Sequence, residues 1–347
     1  PLSRARMMEQ FYIVLTERCN LACSHCIRDS SPYRDETAEK AMILDALSQI
    51  HRDHPGSLVL LTGGEPTLHR HFDSILQHSL SLGQQTKINS NGVTSFYKKH
   101  ALKRWTHHPS LSVQISLDGA EAEHDQIRGV GTYKRALRTL ASLRAEGISC
   151  SVSATVIDLD FFTRIEEFIR PLDELGLTHI AIKRATFAGR ASSGMEICSE
   201  TWNQQIYALR QQPYNTRILA FPMYDFSRLK MLGDEAIADL GNSITTKNCG
   251  AATAKVYIYP NGDVCSCTCF KTHPMGNLYH QTLPAILAKP LQIKVDHPTC
   301  KSCRYFPVCN GGCLGSGFQH SGQLGQPDPR CPQIQAGRSE IPLLSIQ

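Results

Sequence analysis

The sequence predicts an α/β protein, a row of parallel strands joined by crossover helices and followed by a cysteine-rich C-terminal part. Three observations predict it. Between residues 11 and 184, short β-prone runs alternate with helical periodicity about six times. Strands separated by helices pair in parallel, because the crossover helix returns the chain to the same edge. Finally, the 14 cysteines are unevenly spread: three fall in residues 19–26, nine in 249–331, and only Cys150 and Cys198 between.

The elements read in order. FYIVLTE, from Phe11, is the first strand. Thr37 to about His54 is helical, with Ala41, Ile43, Leu44, Leu47 and Ile50 at helical spacing. SLVLL (57–61) is the second strand and runs straight into Gly63-Gly64-Glu65-Pro66. His69 to Leu82 is a helix with Gly83 as its stop. TKINSNG ends a third strand, residues 96–106 read as helix, and LSVQISLDG (111–119) is the fourth strand. Tyr133 to Glu146 is a helix ended by Gly147. ISCSVSATVI (148–157), helix 160–175 and THIAIKR (178–184) complete six units. Six units make either a doubly wound sheet or an open barrel; a closed one needs eight. On this reading residues 11–184 form the core, 185–245 an irregular connection containing Pro213 and Pro222, and 246–335 a second domain. In that second domain Asn261-Gly262 between two β-prone runs signals a hairpin. Cys265, Cys267 and Cys269 alternate on its outgoing strand and so share one face.

Composition excludes several classes. The 347 residues are 41% hydrophobic and 19% charged, as in ordinary globular proteins. The net charge of +5 is dispersed, with no basic block and only 7% aromatics, so nucleic acid is not an expected partner. No apolar run approaches 18 residues, and the N-terminal PLSRARMMEQ lacks the apolar stretch of a signal peptide. The reading is a cytoplasmic protein without membrane association. In a reducing compartment its cysteines are metal ligands rather than disulfides.

The chemistry starts at Cys19, Cys23 and Cys26. Their C-x3-C-x2-C spacing offers three thiolates from one loop, enough for three corners of an iron–sulfur cube with one iron left open. The loop follows the first strand, and Gly63-Gly64-Glu65-Pro66 follows the second. Both therefore lie at strand C-terminal ends, the rim where parallel α/β folds build active sites. Adjacent glycines admit a ligand close to the backbone. Glu65 adds a carboxylate, and Pro66 stiffens the exit. Cys150 alternates with Ile148 and Val152 and reads as a buried small hydrophobe.

With these motifs in order, the sequence closely resembles the radical S-adenosylmethionine (radical SAM) superfamily. The resemblance rests on the cysteine triad with His25 in its aromatic-like slot, and on Gly63-Gly64-Glu65-Pro66. It rests also on Asn89-Ser90-Asn91-Gly92, Ser116-Leu117-Asp118-Gly119 and His124-Asp125-x-x-Arg128-Gly129. It implies a partial (β/α)6 barrel and a 4Fe–4S cluster whose open iron binds S-adenosylmethionine, to be cleaved to a 5′-deoxyadenosyl radical. It implies cofactor contacts from His25, Gly63, Gly64, Glu65, Pro66, Asn91 and Asp118. Ser116 and Arg128 would serve the methionine carboxylate and ribose region, and Ser153 would face the cofactor.

Downstream, Cys249 is followed by twelve residues, Gly262, four residues and Cys267. Then come Cys300-x2-Cys303-x5-Cys309-x3-Cys313 and, last, Cys331. This order resembles the SPASM extension of radical SAM enzymes. It implies two auxiliary 4Fe–4S clusters, three clusters in all. One would use Cys249, Cys267 and Cys313 with either Cys265 or Cys269; the other would use Cys300, Cys303, Cys309 and Cys331. The implied activity is radical modification of a ribosomally made peptide by cross-link, thioether, oxidation or epimerisation. A small-molecule dehydrogenase or oxidase is the alternative. Thr268 stands where sulfatase-maturing relatives carry aspartate, which counts against formylglycine formation. An electron donor such as flavodoxin or ferredoxin is implied. The first strand begins near Phe11, leaving no room before it for a leader-binding domain, so leader recognition is expected from a separate protein or another surface.

Overall fold

The computed structural model describes residues 8–98, 102–244, 248–251 and 253–338. The six expected strands form: β1 (Gln10–Val14), β2 (Leu58–Thr62), β3 (Gln85–Ser90), β4 (Leu111–Ser116), β5 (Ser149–Val156) and β6 (Ile180–Arg184). They lie side by side in sequence order, each parallel to the next. Order without reversal decides between the two expected architectures. A doubly wound sheet reverses direction at a switch point, whereas this one winds one way as an open barrel.

Residue parity along the strands separates two faces. Ile13, Leu61, Ile88, Val113, Val152 and Ile182 point outward and are buried. They pack under helices Lys40–Asp53, Phe72–Ser81, Thr132–Ala145 and Ile165–Asp173. The alternate positions, among them Lys87, Asn89, Gln114, Ser116, Ser153 and Thr155, are polar and half-buried. Parity places them on the inner face, so the lumen is a polar cavity and the core lies outside it. Cys150 belongs to the buried outer set at 1% exposure, as expected.

The sheet extends beyond six strands. The connecting segment contributes helices Ser199–Leu209 and Asp234–Ser243 and a short strand, β7 (Ile218–Leu219), parallel to β6. Trp202 and Ile206 bury the first of these helices, so the segment is more regular than its sequence suggests. At the other edge β8 (Lys255–Ile258) pairs in parallel with β1, Phe11 opposite Val256. The hairpin then continues as β9 (Asp263–Cys265) and β10 (Gly276–Asn277), both antiparallel. Gly262 takes φ +84 at the predicted turn. The cysteine-rich part therefore shares one sheet with the barrel.

Three local expectations change. The outgoing strand ends at Cys265; Cys267 instead caps a 3-10 turn, Thr268–Phe270, and accepts from Cys269 N. The two-residue alternation thus fails for Cys269. Helix 160–175 breaks at Arg164 into Asp160–Thr163 and Ile165–Asp173. Within 96–106 the described residues form helix Ser95–Lys98 and a 3-10 turn Lys103–Trp105, while 99–101 lie outside the described residues. A helix not expected, Glu121–Arg128, follows β4; acidic Glu121 and Glu123 at its start and Arg128 at its end suit the helix dipole. No helix among the described residues is long and apolar enough to cross a membrane.

Leu61 is fully buried beneath the outer helices. Truncation to alanine should cost about 2–5 kcal/mol. Urea unfolding of the apoprotein at constant m-value measures it.

Candidate active site and cysteine centres

The triad loop leaves β1 at its C-terminal end and has almost no apolar side chains of its own. Polar clamps hold it. Cys19 N donates to Ser31 O at 3.0 Å, and Cys26 N to Cys23 O at 3.2 Å. Arg190 reaches from beyond β6. Its Nε donates to Cys23 O at 2.9 Å, Nη1 to Asp29 at 2.7 Å and Nη2 to Ser30 O at 2.7 Å. The neighbouring Gly189 has φ +62, and a Cβ there would collide with Cys26 O. Neither residue was foreseen from the sequence; their place just after a strand C-terminal end was the available signal.

Every triad sulfur accepts a hydrogen bond from N–H. Cys19 Sγ receives Leu21 N at 3.4 Å and Asn91 Nδ2 at 3.7 Å. Cys26 Sγ receives Ser30 N at 3.4 Å, and Cys23 Sγ receives Arg128 Nη1 at 3.8 Å. Donors aimed at sulfur favour the thiolate and tune a cluster bound to it. Burial works the other way, pushing the Cys19 thiol up to about 12, so metal binding there must release protons.

Asp118 is the hinge of this arrangement. Its side chain is fully buried and accepts from His25 Nε2 at 2.7 Å, from Arg128 Nε, and from Thr155 N at 2.8 Å. Desolvation opposes its charge, but the Arg128 guanidinium and His25 outweigh it and hold the carboxyl well below the usual range. Asp118 thus fixes His25 and Arg128 from behind the cavity wall. Glu65 is equally sealed. It accepts from Thr67 Oγ1 at 2.6 Å, Ser90 Oγ at 2.9 Å and Asn91 N at 2.8 Å, and burial raises its pKa. It ties the turn after β2 to the end of β3. Pro66 opens the 3-10 turn Pro66–Leu68. Gly63 and Gly64 reach the cavity itself, their Cα hydrogens packed against the backbone of Thr16 and Arg18. Ser116 and Ser153 are register partners on β4 and β5, and both line the cavity with hydroxyls that have no partner among the described residues.

That cavity, of about 640 Å³, is lined both by Cys19, Cys23 and Cys26 and by Cys249, Cys267, Cys269 and Cys313. Cys265 is not among the lining residues; it is fully buried, with its Sγ toward Lys271 O at 3.8 Å. A Cβ on Gly315 would lie 3.1 Å from Cys269 Sγ and 3.4 Å from Cys267 Sγ, so glycine leaves these sulfurs room. Cys300, Cys303, Cys309 and Cys331 converge elsewhere, around a small apolar recess walled by Phe226, Phe306, Pro327 and Ile334. All-thiolate donor sets of three and four fit iron–sulfur clusters.

Residues 13–172 match the model of the radical SAM superfamily, and residues 249–313 that of SPASM, an iron–sulfur cluster-binding domain. The chain carries a radical SAM domain followed by a SPASM domain. Its two domains imply 4Fe–4S clusters and S-adenosylmethionine. Among its relatives is the mycofactocin maturase MftC of Mycobacterium ulcerans, 29% identical over 92% of this chain and 86% of that protein. Another is the sporulation killing factor maturation protein SkfB of Bacillus subtilis, 26% identical over 94% and 73%. The fold matches Streptococcus suis SuiB bound to S-adenosylmethionine, with TM-score 0.76 at 18% identity over 94% of this chain and 78% of that one. SuiB is also known bound to its precursor peptide SuiA, with TM-score 0.74 at 16% identity over 94% and 76%. The open-barrel sheet and the hairpin expected of a radical SAM/SPASM enzyme are both present.

Removing the Asp118 charge leaves Arg128 buried without its partner. Asp118→Asn should lower apoprotein stability by about 3–5 kcal/mol and reduce iron retained by the triad. Chemical unfolding and iron analysis of the reconstituted protein measure the two effects.

Proposed function

We propose that this radical SAM/SPASM enzyme modifies a ribosomally made peptide. The observation that carries the reading is the single cavity onto which both the triad and the Cys249 group open. It offers a reaction chamber with both a hydrogen-abstracting site and an electron acceptor. Relatives named as maturases, and a fold neighbour bound to a precursor peptide, support a peptide as substrate. An electron donor such as flavodoxin or ferredoxin, a cytoplasmic setting and a separate leader-binding protein belong to the same reading.

Cys19, Cys23 and Cys26 hold the reactive cluster, which supplies one electron for reductive cleavage of S-adenosylmethionine. Gly63 and Gly64 let the cofactor approach the backbone at the sheet rim, with Glu65 and Pro66 shaping that turn. His25, Asn91 and Arg128 hold the rim in place, anchored by Asp118 and Glu65. Ser116 and Ser153 offer hydroxyls to the cofactor. Cys249, Cys267, Cys269 and Cys313 form one auxiliary set, and Cys300, Cys303, Cys309 and Cys331 the other. Cys269 takes precedence over Cys265 because it shares the cavity wall with the other three. Its neighbours include Cys267, Cys313 and Cys249, whereas those of Cys265 are Asp263, Lys271 and Cys267.

Three experiments test this. Anaerobic incubation with peptides from neighbouring small reading frames should give a peptide mass change; turnover of a metabolite with no peptide present would favour the small-molecule alternative. Cys23→Ala should abolish 5′-deoxyadenosine formation, and persistent cleavage would refute the assignment of the triad. Cys269→Ala should lower bound iron by up to about four atoms per chain, while Cys265→Ala leaves it unchanged, as read by iron analysis and Mössbauer spectra.

A further inference from the structure

The cavity wall carries Arg28, Arg128, Lys183, Arg184, Arg190 and Lys255, and no aspartate or glutamate among the described residues. Five of these cations face partners within the chain, although Nε and Nη2 of Arg184 and Nε of Arg28 are buried without a hydrogen-bond partner among the described residues. Arg128 pairs with Asp118 and Arg190 with Asp29. Arg184 is buried and donates to Ile197 O at 2.6 Å and Ser199 Oγ at 3.3 Å. Arg28 lies over the Tyr257 ring at 5.8 Å, and Lys255 faces the Cys249 and Cys267 sulfurs.

Lys183 is different. It is an inner-face residue of β6, opposite Thr155 of β5. Its side chain is open to the cavity, yet no carboxylate or hydrogen-bond acceptor within the described residues pairs with it. The charges that act on it are Lys87, also inward on β3 and without a partner among the described residues, and Lys255. Both are cations. Desolvation by the surrounding barrel, and then these two charges, push the Lys183 ammonium below its ordinary pKa. The side chain is exposed to the cavity, faces other cations, and has no anion among the described residues to offset its charge. Hydroxyls of Ser153 and Thr155 line the same wall without partners among the described residues and can donate to an anion.

We propose that Lys183, beside the Ser153 and Thr155 hydroxyls, binds a carboxylate of the substrate inside the barrel, from an acidic side chain or the peptide C-terminus. The assignment rests on the peptide reading for its source and on the charge pattern for its chemistry. An ammonium with hydroxyl neighbours suits a carboxylate, and the excess of positive charge on the cavity wall would repel basic segments.

The test has two arms, both on the reconstituted full chain. In the first, equilibrium dialysis measures radiolabelled glutarate against wild type, Lys183→Gln and Lys183→Arg. Binding should weaken about tenfold or more in Lys183→Gln and be largely kept in Lys183→Arg. Equal affinity in all three would overturn the site. So would competition by S-adenosylmethionine together with weaker S-adenosylmethionine binding in Lys183→Gln, which would assign the lysine to the cofactor's own carboxylate. In the second arm, a random octapeptide pool is supplied as free acids and as amides, with Asp and Glu present or replaced by Asn and Gln. Mass spectrometry reads what each protein retains. Wild type should enrich the carboxylate-bearing peptides over Lys183→Gln, with Asp or Glu enrichment in the amide pool distinguishing a side chain from a C-terminus. Retention without acidic bias would sink the carboxylate subsite while leaving the peptide reading intact. Lysine-dependent glutarate binding with no peptide retained would uphold the subsite and count against a peptide substrate.

Discussion

Strand β1 is hydrogen-bonded on both sides, to β2 on one and to β8 on the other, and the rest of the molecule depends on that double pairing. The triad loop grows from its C-terminal end. Pairing with β2 sets the Gly63-Gly64 turn beside that loop, and pairing with β8 sets the hairpin that carries Cys265, Cys267 and Cys269. Register matters as much as pairing. Tyr12 faces Tyr257 across the β1–β8 ladder, their rings stacked 4.5 Å apart at the cavity wall. A slip of one residue would turn both rings into the apolar layer and bring Phe11 and Val256 into the lumen.

The reactive loop has no core beneath it, so its rigidity comes from polar groups whose bonds are all internal. Asp118, Glu65 and Arg190 each make three or more hydrogen bonds, and Asp118 and Glu65 are buried. Buried charges of this kind stabilise little in net terms but are severe to disrupt, because each partner left behind is stranded. They therefore fix geometry more than they add stability. Lys271, paired with Glu17 and set 5.2 Å from the Tyr259 ring, extends the same tactic to the hairpin.

The sequence made the six barrel strands and their rim motifs legible because each strand has one apolar face, and periodicity reports that directly. The four-cysteine set ending at Cys331 was implied by the resemblance to the SPASM extension, and the fold gathers those cysteines around one recess. Other features were hidden because they depend on contacts distant in sequence. Alternation put Cys269 on a strand, but the ladder has no partner beyond Cys265 and the chain turns instead. Arg190 reads as an ordinary surface arginine until the fold brings it to Cys23, 167 positions away. The pairing of β8 with β1 spans the whole barrel and leaves no local mark. Asp118 was picked out as part of a cofactor motif; the structure pairs it with His25 and Arg128.

The polar lumen explains why the sheet stays open. In a closed barrel the inner face is packed with branched apolar side chains. Here the corresponding positions are Lys87, Asn89, Gln114, Ser116, Thr155 and Lys183, groups that must be solvated or bound. Closing the sheet around them would strand them without partners. The two edge strands, β7 and β10, are only two residues long each. They are too short to template further pairing, so they protect the edges while leaving the mouth wide. A substrate entering that mouth must replace water around fixed donors and cations. Its recognition is therefore set by hydrogen bonding and charge as well as by apolar fit.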